Sequence, residues 1–246
     1  MTNWAWWVRS LFGRRVWWRR LSDLKASQLK LRLFRAYVLV IALLPSGHVS
    51  AQSGQKRGPE PASKGISGAT YRGGLVSPLL PKAKFILTDT SAAPFDFWQK
   101  TQGYVTLLFF GYTHCPDLCP LHMANIAMAL KRMPASVAEQ VKVVFVTTDP
   151  GRDSPEVLRT WLDRFDKRFI GLTGSEAAIE AAQQASAVPP ARKAPLTNRE
   201  YEVAHASFVI AYTKDDLAHV IYPGGINQND WAQDLPRLIK ETWSSR

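Results

Sequence analysis

From residue 84 onward, short apolar runs alternate with amphipathic stretches. Residues 104–112, YVTLLFFGY, and 141–149, VKVVFVTTD, are nearly continuous apolar runs. Such runs predict central strands that are buried on both faces of a sheet. A shorter run at 84–89, KFILTD, predicts a further strand, and RFIGLTG at 168–174 predicts a short extended piece.

Capping signals between these runs predict helices. Residues 120–133 begin with a proline, are rich in Ala and Leu, and end close to a Lys–Arg pair, as expected at a helix C-terminus. Ser154 followed by Pro155 predicts an N-cap and the first turn of a second helix. Ser175 predicts the N-cap of a third helix, which covers 175–186.

The C-terminal region predicts a β-hairpin and a closing helix. Two apolar runs, 206–213 and 217–223, are separated by the turn sequence KDD, and residues 227–243 form an amphipathic stretch. Strand–helix–strand repeats that end in a hairpin and a helix predict an α/β sandwich with a mixed central sheet.

The first 52 residues differ from the rest and are predicted to form a basic targeting segment. Residues 1–36 contain nine Lys and Arg against one Asp, a net charge of +8 out of +11 for the whole chain. An apolar run at 36–44 and small residues at 49–51 follow, which is the pattern of a secretory signal. The run is much shorter than the roughly 20 residues of a spanning helix. We therefore expect a cleaved signal, with a short retained anchor, contact with anionic lipid or a mitochondrial presequence as alternatives.

Residues 53–74 are rich in Gly, Pro, Ser and charge and predict a flexible linker, which leaves 75–246 as the folded domain. Only +3 of the net charge of +11 lies beyond residue 36, so a nucleic-acid-binding domain is excluded. The targeting pattern predicts a periplasmic location or the outer side of the inner membrane. For a eukaryotic protein it predicts the mitochondrial intermembrane space.

The only two cysteines, Cys115 and Cys119, lie in GYTHCPDLCP, where a predicted buried strand ends and a predicted helix begins. Two cysteines are too few for a disulfide framework, and so short a loop gains little stability from a bridge. A helix N-terminus lowers the pKa of a thiol, and the thiolate is both a nucleophile and a metal ligand. The pair therefore predicts a functional site, either a redox-active dithiol or a metal-binding pair.

A third ligand would favour a metal, and two histidines compete for this role. His122 shares a predicted helical face with the cysteines, whereas His205 begins a predicted strand at the edge of the sheet. Spacing alone does not separate these two histidines. His219 lies on the second strand of the predicted hairpin, where we expect a surface residue.

Three segments together resemble the SCO/SenC family of copper proteins. They are VTLLFFGYTHCPDLCPLHMANIAMAL, VVFVTTDPGRDSPEVLRTWLDRFDKRFIGLTGS and YEVAHASFVI, in the family's order and separation, and the resemblance extends over 71–243. It implies a thioredoxin-like fold and delivery of copper to the binuclear copper site in subunit II of cytochrome c oxidase. It also implies that Cys115, Cys119 and His205 are the copper ligands.

Two thiolates and one imidazole are soft donors that suit Cu(I), although Cu(II) and zinc can accept the same set. The resemblance also indicates Asp149, in TTDPGRD, either as a hydrogen-bonding partner within the site or as a contact for a partner protein. The alternative function is a thiol–disulfide oxidoreductase or redox sensor that uses a disulfide between Cys115 and Cys119. Copper delivery itself is not an enzymatic turnover, and other copper chaperones or thiol reductants are further expected partners.

A Pro-rich, basic segment at 186–200 precedes His205. Its composition predicts a surface loop. We hypothesise that this loop becomes ordered when His205 binds a metal.

Overall fold

The structure, a computed structural model, describes residues 70–196 and 201–243. The predicted targeting segment at 1–52 and most of the predicted linker lie outside these ranges. Among the described residues, no helix has both the length and the apolar character needed to cross a bilayer.

The described residues form ten strands and six helices. The strands are β1 (Gly74–Pro81), β2 (Ile86–Asp89), β3 (Pro94–Asp96), β4 (Val105–Gly111), β5 (Val141–Thr147), β6 (Ile170–Thr173), β7 (Arg192–Pro195), β8 (Tyr201–Ala204), β9 (Val209–Tyr212) and β10 (Leu217–Tyr222). The helices are α1 (Phe97–Thr101), α2 (Leu118–Lys131), α3 (Ala135–Ala138), α4 (Pro155–Leu162), α5 (Glu176–Ala185) and α6 (Gln228–Lys240).

Eight strands form one mixed sheet, in the order β1-β10-β9-β4-β5-β6-β2-β3. The central strands β4, β5 and β6 are parallel. On one side β9 pairs with β4, β10 with β9 and β1 with β10, each in antiparallel fashion. The other two strands, β7 and β8, pair with each other as a separate hairpin. The predicted mixed sheet, terminal hairpin and closing helix are therefore confirmed.

The central strands are mostly apolar because helices cover both faces of the sheet. Leu107 and Phe109 of β4 face one core, which α2, α4 and α6 complete. Leu108 and Phe110 face the opposite core, together with residues of α1 and α5. Every residue of β4 is buried, as expected for a strand in the middle layer of three.

The predicted capping residues act as N-caps. The Ser154 hydroxyl accepts a hydrogen bond from the backbone N–H of Val157 at the start of α4, and Pro155 occupies the first turn. The Ser175 hydroxyl accepts one from Ala178 at the start of α5. These caps fix where the helices begin relative to the ends of β5 and β6.

The sequence pattern does not predict β1, β3, β7 or β8. These are edge or hairpin strands: β7 is exposed at every position and β1 at most of its positions, so neither carries a continuous apolar run. The segment 186–200, predicted as a loop, contains β7, and its residues 197–200 lie outside the described ranges.

The folded domain begins before residue 75. Tyr71, which lies within the predicted linker, is buried and stacks on Trp243 with 5.6 Å between ring centroids. Its hydroxyl donates a hydrogen bond to Glu241, 2.7 Å away. The segment entering β1 is thereby held against the C-terminal end of the domain.

The prediction of a surface position for His219 is wrong. His219 is only 4% exposed, because the segment after α6 covers it and Trp243 stacks on its ring at 4.1 Å. The ring Nε2 lies 2.8 Å from a carboxylate oxygen of Asp215.

Candidate metal centre

The two cysteines lie at the carboxyl edge of the parallel strands, where β4 leads into α2. Cys115 belongs to the loop after β4, and its backbone N–H donates to the carbonyl of Tyr112 at 3.2 Å. Cys119 is the second residue of α2, which begins at Leu118. The predicted placement of the pair between a buried strand and a helix is therefore confirmed.

Gly111, the last residue of β4, makes room for the Cys119 sulfur. A Cβ atom at Gly111 would lie 2.7 Å from Cys119 Sγ and 2.9 Å from the ring of Phe109. Real Cβ atoms essentially never approach other heavy atoms so closely. The start of α2 can therefore pack against the end of β4 only because this position has no side chain.

The imidazole of His205 reaches the cysteines from the loop between β8 and β9, and not from the start of a strand as predicted from the sequence. Its Nε2 lies 3.5 Å from Cys119 Sγ. Its Nδ1 lies 2.9 Å from the carbonyl oxygen of Ala206, to which it can only donate. This bond assigns the proton to Nδ1 and leaves the Nε2 lone pair directed at the sulfurs, which is the tautomer a metal ligand needs.

Two aromatic rings hold the imidazole edge to face. The ring centroid of Phe109 lies 5.9 Å from that of His205, and the Tyr112 centroid lies 5.5 Å away. Both aromatic residues are buried at the end of β4. Because the same strand supports the cysteine loop, it also sets the distance between imidazole and sulfurs.

The structure brings the three residues Cys115, Cys119 and His205 together. One potential ligand atom from each lies within 4.8 Å of the other two. Cys119 is buried, whereas Cys115 and His205 are partly exposed. A single soft metal ion can contact all three donors and remain reachable from solvent on one side.

The two thiols differ in their electrostatic environment. A hydrogen bond from the Cys119 thiol lowers the pKa of Cys115 to about 3, against the opposing effect of burial. Burial raises the pKa of Cys119, and the neighbouring Cys115 thiolate raises it further. At neutral pH the apo site therefore holds one thiolate, on the more exposed cysteine, and one thiol. Both cysteines are free, with no disulfide between them.

His122, the competing histidine, lies outside this group of donors. It is 2% exposed, and its Nε2 lies 3.1 Å from the carbonyl oxygen of Ser207, to which it donates. Its ring packs against Phe109 with 5.1 Å between centroids. Burial lowers the pKa of His122, so the ring is neutral at neutral pH. It connects α2 to the loop that carries His205.

Asp149 does not reach the sulfurs but is fully buried beside the site. One of its carboxylate oxygens accepts a hydrogen bond from the Tyr201 hydroxyl at 2.8 Å, and the other is paired with Arg152. These contacts tie the end of β5 to β8, the strand that leads to His205. Whether Asp149 also contacts a partner protein stays a prediction.

Sequence reasoning missed two residues that shape the site. Gly111 precedes the cysteine loop, and Asp153 accepts hydrogen bonds from the backbone and side chain of Thr113 within it. Asp153 lies four residues after Asp149 in DPGRD, in a turn where an acidic residue is common on local grounds. One feature of the sequence could have indicated Asp153. Both acids follow a buried strand, and ligand sites lie beyond the carboxyl ends of parallel strands.

Comparison with known proteins agrees with this geometry. The SCO1/SenC family model matches residues 78–240. The SCO2-like protein of Rickettsia prowazekii is 33% identical over 132 residues, which are 53% of this chain and 63% of that protein. The match thus spans less than two thirds of this relative's length.

Two solved structures are also similar. ScoI of Bradyrhizobium japonicum with copper bound is 31% identical, with a TM-score of 0.58, over 65% of this chain and 99% of that one. Apo Sco1 of Thermus thermophilus is 31% identical, with a TM-score of 0.62, over 70% of this chain and 100% of that one. The predicted thioredoxin-like fold is confirmed by these neighbours.

The matched range contains β4, the cysteine loop, the Asp149 turn and His205. It covers more than half of the chain, and the three soft donors that converge within it form a group that can bind copper. The chain therefore belongs to the SCO1/SenC family.

Proposed function

We propose that this protein binds Cu(I) through Cys115, Cys119 and His205 and delivers it to the binuclear copper site in subunit II of cytochrome c oxidase. The observation that supports copper binding is the convergence of the three donors within 4.8 Å, although 86 residues separate Cys119 from His205. The similar ScoI structure holds copper. The oxidase as acceptor follows from the resemblance to the SCO/SenC family.

The donor set suits a carrier rather than a permanent metal site. Thiolates and a neutral imidazole are favourable ligands of Cu(I), and the site offers only three of them. Because Cys115 and His205 are partly exposed, a ligand of an acceptor protein can approach the metal before the carrier's ligands leave. Cu(II) can occupy the same donors but is less suited to thiolates, which it oxidises.

The test of copper binding is an anaerobic Cu(I) titration of the full chain against a competing chelator. Loss of an outer hydrogen-bonding partner of a metal site costs about 10–100-fold in affinity. We therefore expect Cys115→Ser, Cys119→Ser and His205→Ala each to lower Cu(I) affinity by more than about 100-fold. An unchanged affinity in His205→Ala would contradict the three-donor site.

Delivery is tested separately with the copper-free, soluble domain of oxidase subunit II as acceptor. The copper-loaded wild type is mixed with this domain, the two proteins are separated, and copper is measured in each. We expect copper to move to the acceptor at a rate that rises with acceptor concentration. Equal transfer to a subunit II domain that lacks its own copper-binding cysteines would contradict directed delivery.

A second candidate function is thiol–disulfide exchange with acceptor cysteines. It is favoured by the two free thiols and by the lowered pKa of Cys115, which makes this cysteine a thiolate at neutral pH. Oxidation of the Cys115 thiolate and the Cys119 thiol to one disulfide would release two electrons and one proton, and the two electrons, with protons completed from solvent, would reduce one disulfide in the acceptor. His205→Ala should leave such exchange intact while it abolishes tight copper binding, so this variant separates the two functions.

We also propose that residues 1–52 direct the domain across a membrane, either as a cleaved signal or as a retained short anchor. The support is the order of a basic region, an apolar run at 36–44 and small residues at 49–51. N-terminal sequencing of the mature protein tests the proposal. A start at Met1 in a fraction that stays inside the inner membrane would contradict it.

A further inference from the structure

We propose that Asp153 and Asp149 are positioning residues that each hold one half of the copper pocket. We call residues 112–119 the cysteine arm and residues 201–208 the histidine arm. Asp153 holds the cysteine arm and Asp149 holds the histidine arm, both from the turn after β5. This inference rests on the proposed copper binding and adds the residues that set the pocket's geometry.

The cysteine arm is bound to Asp153 by two hydrogen bonds from Thr113. The backbone N–H of Thr113 donates to one carboxylate oxygen at 2.9 Å, and its hydroxyl donates to the other at 2.6 Å. Asp153 also accepts a hydrogen bond from the Thr147 hydroxyl at 2.7 Å and is fully buried. Cys115 therefore lies two residues after Thr113, which is fixed by its main chain and its side chain.

The histidine arm is bound to Asp149 through Tyr201. The Tyr201 hydroxyl donates to Asp149 at 2.8 Å, and Arg152, paired with the same carboxylate, lies over the Tyr201 ring at 3.9 Å. Tyr201 begins β8, which ends one residue before His205. β8 pairs only with β7 among the described residues, and Arg152 also donates to the Tyr201 carbonyl at 3.4 Å, so the turn after β5 holds the start of β8 by its side chain and its main chain.

Both carboxylates belong to the turn after β5, and β5 is fixed to β4. β5 pairs with β4 in parallel register, with Gly111 opposite Thr147, and the Thr148 N–H donates to the Gly111 carbonyl at 2.6 Å. Each carboxylate is buried and satisfied, and such bonds are short-ranged and stiff in a low dielectric. The arms also touch each other, since Tyr112 of the cysteine arm packs edge to face on His205 and Arg152 lies 5.8 Å from the Tyr112 ring. The described hydrogen bonds, however, join Asp153 to the cysteine arm and Asp149 to the histidine arm. Loss of one anchor should therefore loosen its own arm more than the other.

Two variants that each remove one hydroxyl test which carboxylate holds which arm. Thr113→Val removes one bond to Asp153, and Tyr201→Phe removes the bond to Asp149. Each should lower Cu(I) affinity by about 10-fold in the full chain, as outer partners of metal ligands do. In a His205→Ala background, Thr113→Val should keep its full effect, whereas Tyr201→Phe should cost less than about 2-fold, because its arm no longer supplies a ligand.

Control variants distinguish positioning from a general loss of stability. Thr113→Ser keeps the hydroxyl and should restore wild-type affinity. Tyr104→Phe deletes a tyrosine hydroxyl at the start of β4, far from the cysteines in the sheet, and should change nothing. The absorption spectrum of bound Co(II), which reports ligand geometry, should shift in Thr113→Val and Tyr201→Phe but not in these two controls.

Amide hydrogen exchange of the apo proteins gives a readout that needs no metal. Exchange should become faster mainly at 113–115 in Thr113→Val and mainly at 201–204 in Tyr201→Phe. Equal loosening of both arms by either variant, or equal affinity losses for Tyr201→Phe with and without His205, would overturn the proposal. If the wild type fails to bind Cu(I), the proposed function fails, and the exchange pattern still decides whether the arms are held separately.

Discussion

Gly111 and the Cys119 sulfur are in direct contact, and a single added methyl group at Gly111 would lie 2.7 Å from that sulfur. The contact joins the end of a central strand to the first turn of α2. Because Cys119 is buried and Phe109 lies on the other side, neither neighbour can move without disturbing the core.

We therefore expect Gly111→Ala to lower the free energy of unfolding by about 1–3 kcal/mol, the usual cost of overpacking. It should also weaken Cu(I) binding by about 10-fold, because the displaced sulfur changes the donor geometry. Urea denaturation and chelator competition measure the two effects. Gly74→Ala is the matched control, since its new methyl group would meet only one atom, at 4.0 Å. Wild-type stability and Cu(I) affinity in Gly111→Ala would show that the close packing at this position does not exclude a side chain.

The two thiols should differ in their reaction with iodoacetamide. The lowered pKa of Cys115, about 3, keeps it a thiolate above that pH, so its alkylation rate should change little between about pH 5 and pH 8. An ordinary thiol would slow about tenfold for each pH unit below its pKa over that range. Mass spectrometry of the alkylated peptide measures the rate.

Cys119→Ala is the control for this experiment. It removes the thiol whose hydrogen bond contributes most to the lowered pKa of Cys115, so the alkylation rate should depend more steeply on pH than in the wild type. A steep dependence already in the wild type would contradict the thiolate assignment.

His122 should make the apo protein less stable as the pH falls. Its pKa is lowered by burial in the folded state, whereas the unfolded chain has an ordinary pKa of about 6.5. Below about pH 6.5 the unfolded state therefore binds more protons at this site, and the free energy of unfolding decreases as pH falls. Urea denaturation between about pH 8 and pH 5 measures this loss.

His122→Gln keeps a donor for the Ser207 carbonyl but does not titrate, so we expect a smaller loss of stability at low pH. The variant should also retain most of the Cu(I) affinity, in contrast to His205→Ala. An equal loss of affinity in the two variants would contradict the assignment of His205 as the ligand.

Copper should reduce hydrogen exchange in the hairpin that leads to His205. Ligation adds a bond at the end of β8, and the cross-strand pairs of β8 with β7 transmit this restraint to residues 192–195. We expect slower amide exchange at 201–204 and 192–195 after Cu(I) is added anaerobically. Unchanged protection, or an equal change in His205→Ala, would reject metal-linked ordering of this segment.

The parts of the fold that follow from local patterns could be predicted from the sequence. The apolar runs of β4 and β5, the N-caps Ser154 and Ser175, and the terminal hairpin each depend on neighbouring residues alone. The cysteine pair was placed correctly because a strand end and a helix start are both local signals. β7 could not be predicted, since all of its residues are exposed.

The third donor could not be identified from spacing, because its position depends on contacts between segments that are distant in the sequence. Spacing along a helix made His122 as good a candidate as His205, and only the resemblance to a family chose between them. In the structure, the hydrogen bond of His122 to Ser207 and the approach of His205 to Cys119 separate their roles. Periodicity reports only on neighbouring residues, so it could not predict the contact between Cys119 and His205, which are 86 residues apart. It could not predict the hydrogen bonds of Thr113 to Asp153 for the same reason.

His205 follows Cys119 by 86 residues, and this order along the chain has a consequence for biosynthesis. A chain that crosses a membrane N-terminus first, as proposed above, exposes both thiols before β9 and β10 are available. Until β9 inserts beside β4, such a nascent chain offers a two-coordinate dithiol from which competing thiols can withdraw cuprous ion. On the proposed function, retention of copper by all three donors therefore requires the folded chain, and we expect folding to precede copper loading.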